Sequence, residues 1–403
     1  MDIKSFMQNY GGRRMEDYEP PDPAWGDAGG NKGQPKIVDV DVEEESSDWN
    51  AKGTLLHPRW RARDWAERPV RFVDGIDAGN TVASLNSPTG YLIPVRLSEI
   101  GSVVMSVRDG ELRREFARVE RVVSMVTSAF SWEEMEALAA ELMKHNLHLL
   151  PARPPGGELT DILEDMRKAA QNRSMDEMEV LEELAVAQDA ETPTVVDGRL
   201  ERRSGGLDPK HHSPVFGVIK THRRVYLHSH GMRLLYRLAP GERTPAFFIR
   251  QPEPSDAPDT SEAQATARED SATREQDGTD MISQTNAVPQ TTEEEVVKFP
   301  VVSWYVRLSE GEGMMPDYGL VRVEASLKWF IARGYGSQNR VYQSGADFIN
   351  QLSRTLYEYR CRECSYERSA ISLHPIVRAE SSLRALFSPS GLLRSNFYRL
   401  TGL

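Results

Sequence analysis

Apolar residues along this chain alternate between two spacings. Short runs rich in Val, Ile, Phe and Tyr at 70–74 (VRFVD), 91–97 (YLIPVRL), 101–107 (GSVVMSV), 194–197, 214–219 (PVFGVI), 245–250 (PAFFIR) and 299–308 (FPVVSWYVRL) predict strands. Helical spacing over 131–146, 159–190 and 343–361 predicts helices, the first opening with Ser131 and, three residues later, Glu134, the spacing of a capping box. The glycines of SLKWFIARGYG stop whatever element precedes them. Strands interleaved with helices predict an α/β fold, a central mixed β-sheet flanked by helices. No repeat of fixed period is present.

Two stretches fall outside this pattern. Residues 1–50 are rich in Gly, Pro, Asp and Glu and poor in aliphatic side chains, so we expect a largely disordered or partner-docking segment with no core of its own. Residues 252–295 combine acidity with Ser, Thr, Ala, Gln and Pro, and read as a disordered acidic insertion in a folded region that spans 51–403. These segments also change the meaning of the charge. The net charge of −12 argues at first against a nucleic-acid ligand. Residues 1–50 carry −7 and residues 251–296 carry −10, which leaves about +5 for everything else. That remainder has arginine clusters such as HPRWRARDWAERPVR, RREFARVERVV and KTHRR, compatible with binding nucleic acid.

The two cysteines, Cys361 and Cys364, form no disulfide framework and make only half of a zinc site. With no apolar leader and no run of eighteen apolar residues, the expectation is a soluble, cytoplasmic protein without a membrane partner. No P-loop, G-x-G-x-x-G or G-x-S-x-G motif occurs, which argues against an ATP-driven motor and a serine hydrolase.

The chemistry concentrates at two Asp-Gly pairs. In RFVDGIDAGN, Asp74 follows a β-branched run and precedes Gly75, and in TPTVVDGRL, Asp197 and Gly198 repeat the arrangement. Each pair alone reads as a turn dipeptide. Two carboxylates at the ends of neighbouring strands also make a site for Mg²⁺ or Mn²⁺, which activates water for phosphodiester cleavage. The helix before Asp197, with an apolar stripe of Met175, Met178, Leu181 and Leu184, offers Glu177, Glu179 and Glu182 as a third acid, and the pattern does not choose among them. Lys220, ending a strand ahead of Thr221, His222, Arg223 and Arg224, is placed to neutralise a phosphate or belongs to a plain basic loop. His374, before Pro375 and a helix, is a metal ligand or a structural histidine.

Taken in order, FVDG at 72–75, the acidic helix, VVDGRL at 195–200, FGVIKT at 216–221 and LHPIVRAE at 373–380 resemble the NurA family of nucleases. The resemblance spans roughly residues 70–385. It implies a ribonuclease H-like core, Mn²⁺ or Mg²⁺ as cofactor, a homodimer, and work on DNA ends with a HerA-like hexameric ATPase. Matched position by position, it implies Asp74, Glu179, Asp197 and His374 as metal ligands, with Glu177 the alternative to Glu179, and Lys220 as the phosphate-neutralising lysine. Family members often read Asp-Gly-Ser at the first motif, whereas here Ile76 brings no hydroxyl and Asp77 is an additional ligand or a turn residue. A catalytically inactive DNA-binding adaptor that docks on the ATPase is the competing expectation.

Overall fold

Residues 71–126 explain the frame of the molecule, because they fold as three long strands in an antiparallel meander. These are β3 (Arg71–Asn86), β4 (Leu92–Arg108) and β5 (Glu111–Val126) in a computed structural model that describes residues 2–15, 50, 52–53, 61–154, 162–200, 214–220, 226–227, 229–249, 300–310, 318–362 and 371–403. The two strands expected at 91–97 and 101–107 are one strand. Its polar middle stays in the sheet because Glu99 is paired with Arg121 and with the amide and hydroxyl of Ser388, and because Gly101 leaves room for Leu383 of an overlying helix. The segment around RREFARVERVV, read as an arginine cluster, is β5. Its Ala117 and Val119 turn to one face and Phe116 to the other, which is the period of a strand.

After the meander the chain forms α2 (Trp132–Met143) and β6 (His148–Ala152), parallel to β5, then the long helix α3 (Ile162–Ala187). The predicted capping box at Ser131 and Glu134 is formed. Next come β7 (Thr194–Asp197), parallel to β3, and β8 (Val215–Ile219), parallel to β7. Together β8-β7-β3-β4-β5 form a five-stranded mixed unit. The sheet continues past β8 through β12 (Leu320–Ser326), β11 (Val301–Arg307), β9 (Glu242–Arg243) and β2 (Lys52–Gly53), with β10 (Phe247–Ile249) on β11 and β1 (Arg13–Arg14) on β3. The remaining helices are α1 (Ile3–Asn9), α4 (Ser229–Arg237), α5 (Leu327–Ala332), α6 (Gln343–Tyr359), α7 (His374–Arg384) and α8 (Ser390–Thr401). The mixed α/β architecture expected from the sequence is therefore observed.

The first fifteen residues correct one expectation. Ile3, Phe6 and Met7 of α1 are buried against Phe130, Met135 and Phe397, so residues 2–15 belong to the folded body because that body supplies the apolar surface their own segment lacks. Most of the acidic N-terminal stretch and the whole insertion at 252–295 lie outside the described residues, as do Thr221 to Arg224 and Cys364.

The two faces of β3 carry different partners. Val73 packs with Ala185 and Val186 of α3, and Gly75 meets Met178 and Glu182 of that helix. Phe72 faces the core covered by α6, and Ile76 packs on Ala379 and Leu383 of α7. By strand alternation Asp74 shares the face of Phe72 and Ile76.

Candidate active site

The parallel register sets Phe72 opposite Val195 and Val73 opposite Val196. One step further, Asp74 and Asp197 stand side by side on neighbouring strands. Asp197 ends β7 and lies opposite Val218 of β8, so Lys220, two residues on, follows the same row. Its Nζ is 2.6 Å from Asp197 Oδ2. The three residues thus form one row at the carboxyl ends of β7 and β8, the place where open α/β sheets leave a crevice for ligands.

The two Asp-Gly pairs are not equivalent. Gly198 has φ 123°, a conformation that favours glycine, and it does end its strand. Asp74 is not at a strand end, since β3 continues to Asn86. Gly75 is required there by a close approach: a Cβ on it would lie 2.5 Å from Met178 Sδ and 2.8 Å from Glu182 Oε1. The first pair is therefore no turn but a strand position cleared for a helix.

That contact changes the choice of helix acid. Glu182, 2% exposed, is the α3 carboxylate against the strand beside Asp74. Glu179, favoured by the resemblance, is half-buried nearly one turn earlier, and Glu177 pairs with Arg173 at 2.8 Å. The apolar stripe was misplaced for the same reason: Met175 and Leu184 are exposed, while the buried side of α3 includes the polar Ser174 and Glu182.

Charge makes Asp74 the unusual group. It is 7% exposed, and its pKa is driven well above the ordinary carboxylate value, first by burial and then by the negative charge of Asp197. Lys220 opposes the shift, and Glu182 and Glu380 of α7 add to it.

His374 is not among the charges named as acting on Asp74. It stands exposed in the first turn of α7, and its contact among the described residues is with Arg378, whose Nε donates to His374 Nε2 at 3.4 Å. The α7 residue whose charge reaches Asp74 is Glu380, which also pairs with Arg384. Asp77 is neither turn residue nor free ligand. Arg96 Nη2 lies 3.1 Å from its Oδ2, and Ser174 Oγ donates to the same oxygen at 2.6 Å. Sequence pattern offered Glu182 as one of three helix acids without choosing it and gave no sign of Glu380, because both are ordinary acids on their helices until packing selects them.

Asp74 and Asp197 supply hard oxygen donors, the type that Mg²⁺ and Mn²⁺ take, and Mg²⁺ commonly uses one or two protein carboxylates with waters and substrate phosphates completing its shell. The strained ionisation of Asp74 is what a divalent cation would relieve. Among the described residues no three His, Cys, Asp or Glu side chains are grouped so as to hold a metal ion as they stand. The donors thus fit a two-carboxylate site and not a ready-made cage.

No helix among the described residues is long and apolar enough to cross a membrane. No protein-family model matches the chain, and no curated protein matches it. Among solved structures it is similar to the crystal structure of the NurA nuclease from Sulfolobus solfataricus, with 11% sequence identity, a TM-score of 0.40, and coverage of 88% of this chain and 86% of that one.

Proposed function

We propose that this protein hydrolyses phosphodiester bonds in DNA, with Asp74 and Asp197 holding Mg²⁺ or Mn²⁺. The observation that carries the reading is the pair itself: two carboxylates on adjacent parallel strands, Asp74 held against ionisation first by burial and then by Asp197, with a lysine beside them. Structural acids are normally paired so that burial costs little. Asp74 instead sits where burial and the neighbouring Asp197 charge disfavour its ionised form, a mark of functional carboxylates. The bound ion would lower the pKa of a water and offset charge on the phosphorane. To serve as a ligand Asp74 would have to give up its proton. Lys220 keeps Asp197 oriented and supplies positive charge for the phosphate. Glu182 adds a third negative charge from the α3 side of β3, at the point where Gly75 lets the helix come close.

The test is cleavage of end-labelled linear single- and double-stranded DNA with Mg²⁺, Mn²⁺ or EDTA, comparing the wild type with Asp74→Ala and Asp197→Ala. Metal-dependent cleavage that both substitutions remove supports the reading. A folded, DNA-binding protein that cleaves nothing under any of these conditions sinks it.

A second reading, the non-catalytic DNA-binding adaptor, is favoured by one observation. Asp197 is already neutralised by Lys220 at 2.6 Å, so that carboxylate has a counter-charge without any cation. Under either reading a homodimer and a HerA-like hexameric ATPase are the proposed partners, and co-purification of the full chain with such an ATPase tests that proposal.

A further inference from the structure

Helix α3 is fastened to β3 at two places by buried arginines, and Glu182 lies between them. At the carboxyl end of the helix, Arg71, 1% exposed, donates to the carbonyls of Ala185, Val186 and Asp189, to Thr194 Oγ1 and to Glu115 Oε2. These are terminal carbonyls that the helix itself leaves without partners, and a cation there also opposes the negative end of the helix dipole. The second fastening is polar and lies in the middle of the interface. Ser174 Oγ donates to Asp77 Oδ2 at 2.6 Å, Arg96 Nη2 reaches both Asp77 oxygens at 3.1 and 3.2 Å, and Arg96 Nε donates to Ser174 Oγ at 3.2 Å. All three side chains are sealed from solvent or nearly so.

The spacing gives this second fastening its meaning. Ser174, Met178 and Glu182 recur every four residues, so they form one stripe on α3, with Ser174 and Glu182 about 12 Å apart along the axis at 1.5 Å per residue. On β3 the matching positions are Asp77 and Gly75, on the same face of the strand. A slip of α3 by one turn moves Glu182 about 5 Å from the position Gly75 clears for it. Ser174 Oγ also lies 2.8 Å from the Gln171 carbonyl of its own helix, so what a slip strands is the buried Asp77 and Arg96 pair, whose contacts to Ser174 exist in one register only.

We infer that Ser174, Asp77 and Arg96 are positioning residues that set the register of α3 on β3, and so fix the Glu182 charge against Gly75, across β3 from the Asp74 and Asp197 pair on which it acts. The inference rests on the divalent-cation reading of that pair. Arg71 anchors the helix end, and the serine fastening chooses which turn of α3 faces Gly75.

The experiment is calorimetric titration of Mn²⁺ alone into the full-length protein, for wild type, Ser174→Ala, Asp77→Asn and the double variant, with folding monitored by circular dichroism and thermal unfolding. Each single substitution should weaken Mn²⁺ binding by about 10-fold or more, the range found when groups behind a metal ligand are altered. The double variant should lose no more than the worse single one, because both changes act through one contact. Tyr10→Phe serves as a control for general loosening. It removes the 2.6 Å hydrogen bond from Tyr10 to Glu134 in the other core, and should leave Mn²⁺ affinity unchanged. Folded Ser174→Ala and Asp77→Asn with wild-type affinity would overturn the inference while leaving the Asp74 and Asp197 site intact. Equal weakening in Tyr10→Phe would overturn it too, by showing that affinity follows stability. A wild type that binds no Mn²⁺ would overturn the cation reading and this inference together.

Discussion

Removing the charge from Asp74 should make the protein more stable while it loses activity. Asp74→Asn keeps the shape of the side chain and deletes one ionisable group from a site where ionisation is disfavoured. Neighbouring strands are about 4.8 Å apart, so two ionised carboxylates at Asp74 and Asp197 repel by about 3 kcal/mol at the effective dielectric of protein sites. Lys220, 2.6 Å from Asp197, cancels part of this, and burial of Asp74 adds to it. We expect the variant to be more stable by about 1–3 kcal/mol at pH 7–8. The sign of the pH dependence follows from the raised pKa. Below 3.8, its ordinary value, Asp74 is protonated in both states and costs nothing. As the pH rises through the interval up to the elevated folded value, the unfolded chain releases the proton while the folded chain keeps it. Wild-type stability falls relative to the variant by at most about 1.4 kcal/mol per pH unit over that interval. Urea unfolding of both proteins at pH 4, 6 and 8 in EDTA measures the gap, which should be near zero at the lowest pH and widen upward. Saturating Mn²⁺ should then reverse part of it by stabilising the wild type, about 2.7 kcal/mol at a hundred times the dissociation constant, and the variant less. An Asp74→Asn protein less stable than wild type at pH 8, or a gap that ignores pH, would refute the electrostatic account.

Four further outcomes follow from the same geometry. Gly75→Ala places a methyl 2.5 Å from Met178 Sδ and 2.8 Å from Glu182 Oε1, and should cost about 1–3 kcal/mol in urea unfolding with a fall in cleavage; an unchanged Gly75→Ala would mean the close approach is dispensable. Arg71→Met should destabilise by about 1–3 kcal/mol because it removes the donor to the carbonyls of Ala185 and Asp189 at the end of α3, and unaltered denaturation midpoints would contradict that role. Lys220→Ala should weaken DNA binding in EDTA and lower the slope of log affinity against log salt by about one, as expected for one phosphate contact, whereas an identical slope would place the lysine off the DNA path. Glu182→Gln should reduce cleavage far more than Glu179→Gln, and His374→Ala should leave it within about tenfold of wild type. The reverse ranking would return those roles to the residues the motif resemblance implied.

The strands and helices that could be read from the sequence were those whose apolar pattern is uninterrupted. Thr194–Asp197, Val215–Ile219 and Val301–Arg307 have dense β-branched and aromatic residues and appear where expected. The signal was lost wherever a buried position is polar. Glu99 and Gly101 split β4 into two apparent strands, the arginines of β5 hid its alternation, and Ser174 and Glu182 concealed the true inner face of α3. Such groups are tolerated inside because a partner remote in sequence satisfies them, Arg121 for Glu99 and Asp77 for Ser174.

By itself the sequence determined the class of the fold and drew attention to the two aspartates and the lysine after β8, since these depend on local residue types and short spacings. Only the tertiary structure decided which acids stand with them. It brought Glu182 to Gly75 and Glu380 within reach of Asp74, committed Asp77 to Arg96, and left His374 outside. The physical reason is that a carboxylate acquires its role from burial and neighbouring charge, and both are properties of packed elements that meet across more than a hundred residues of chain.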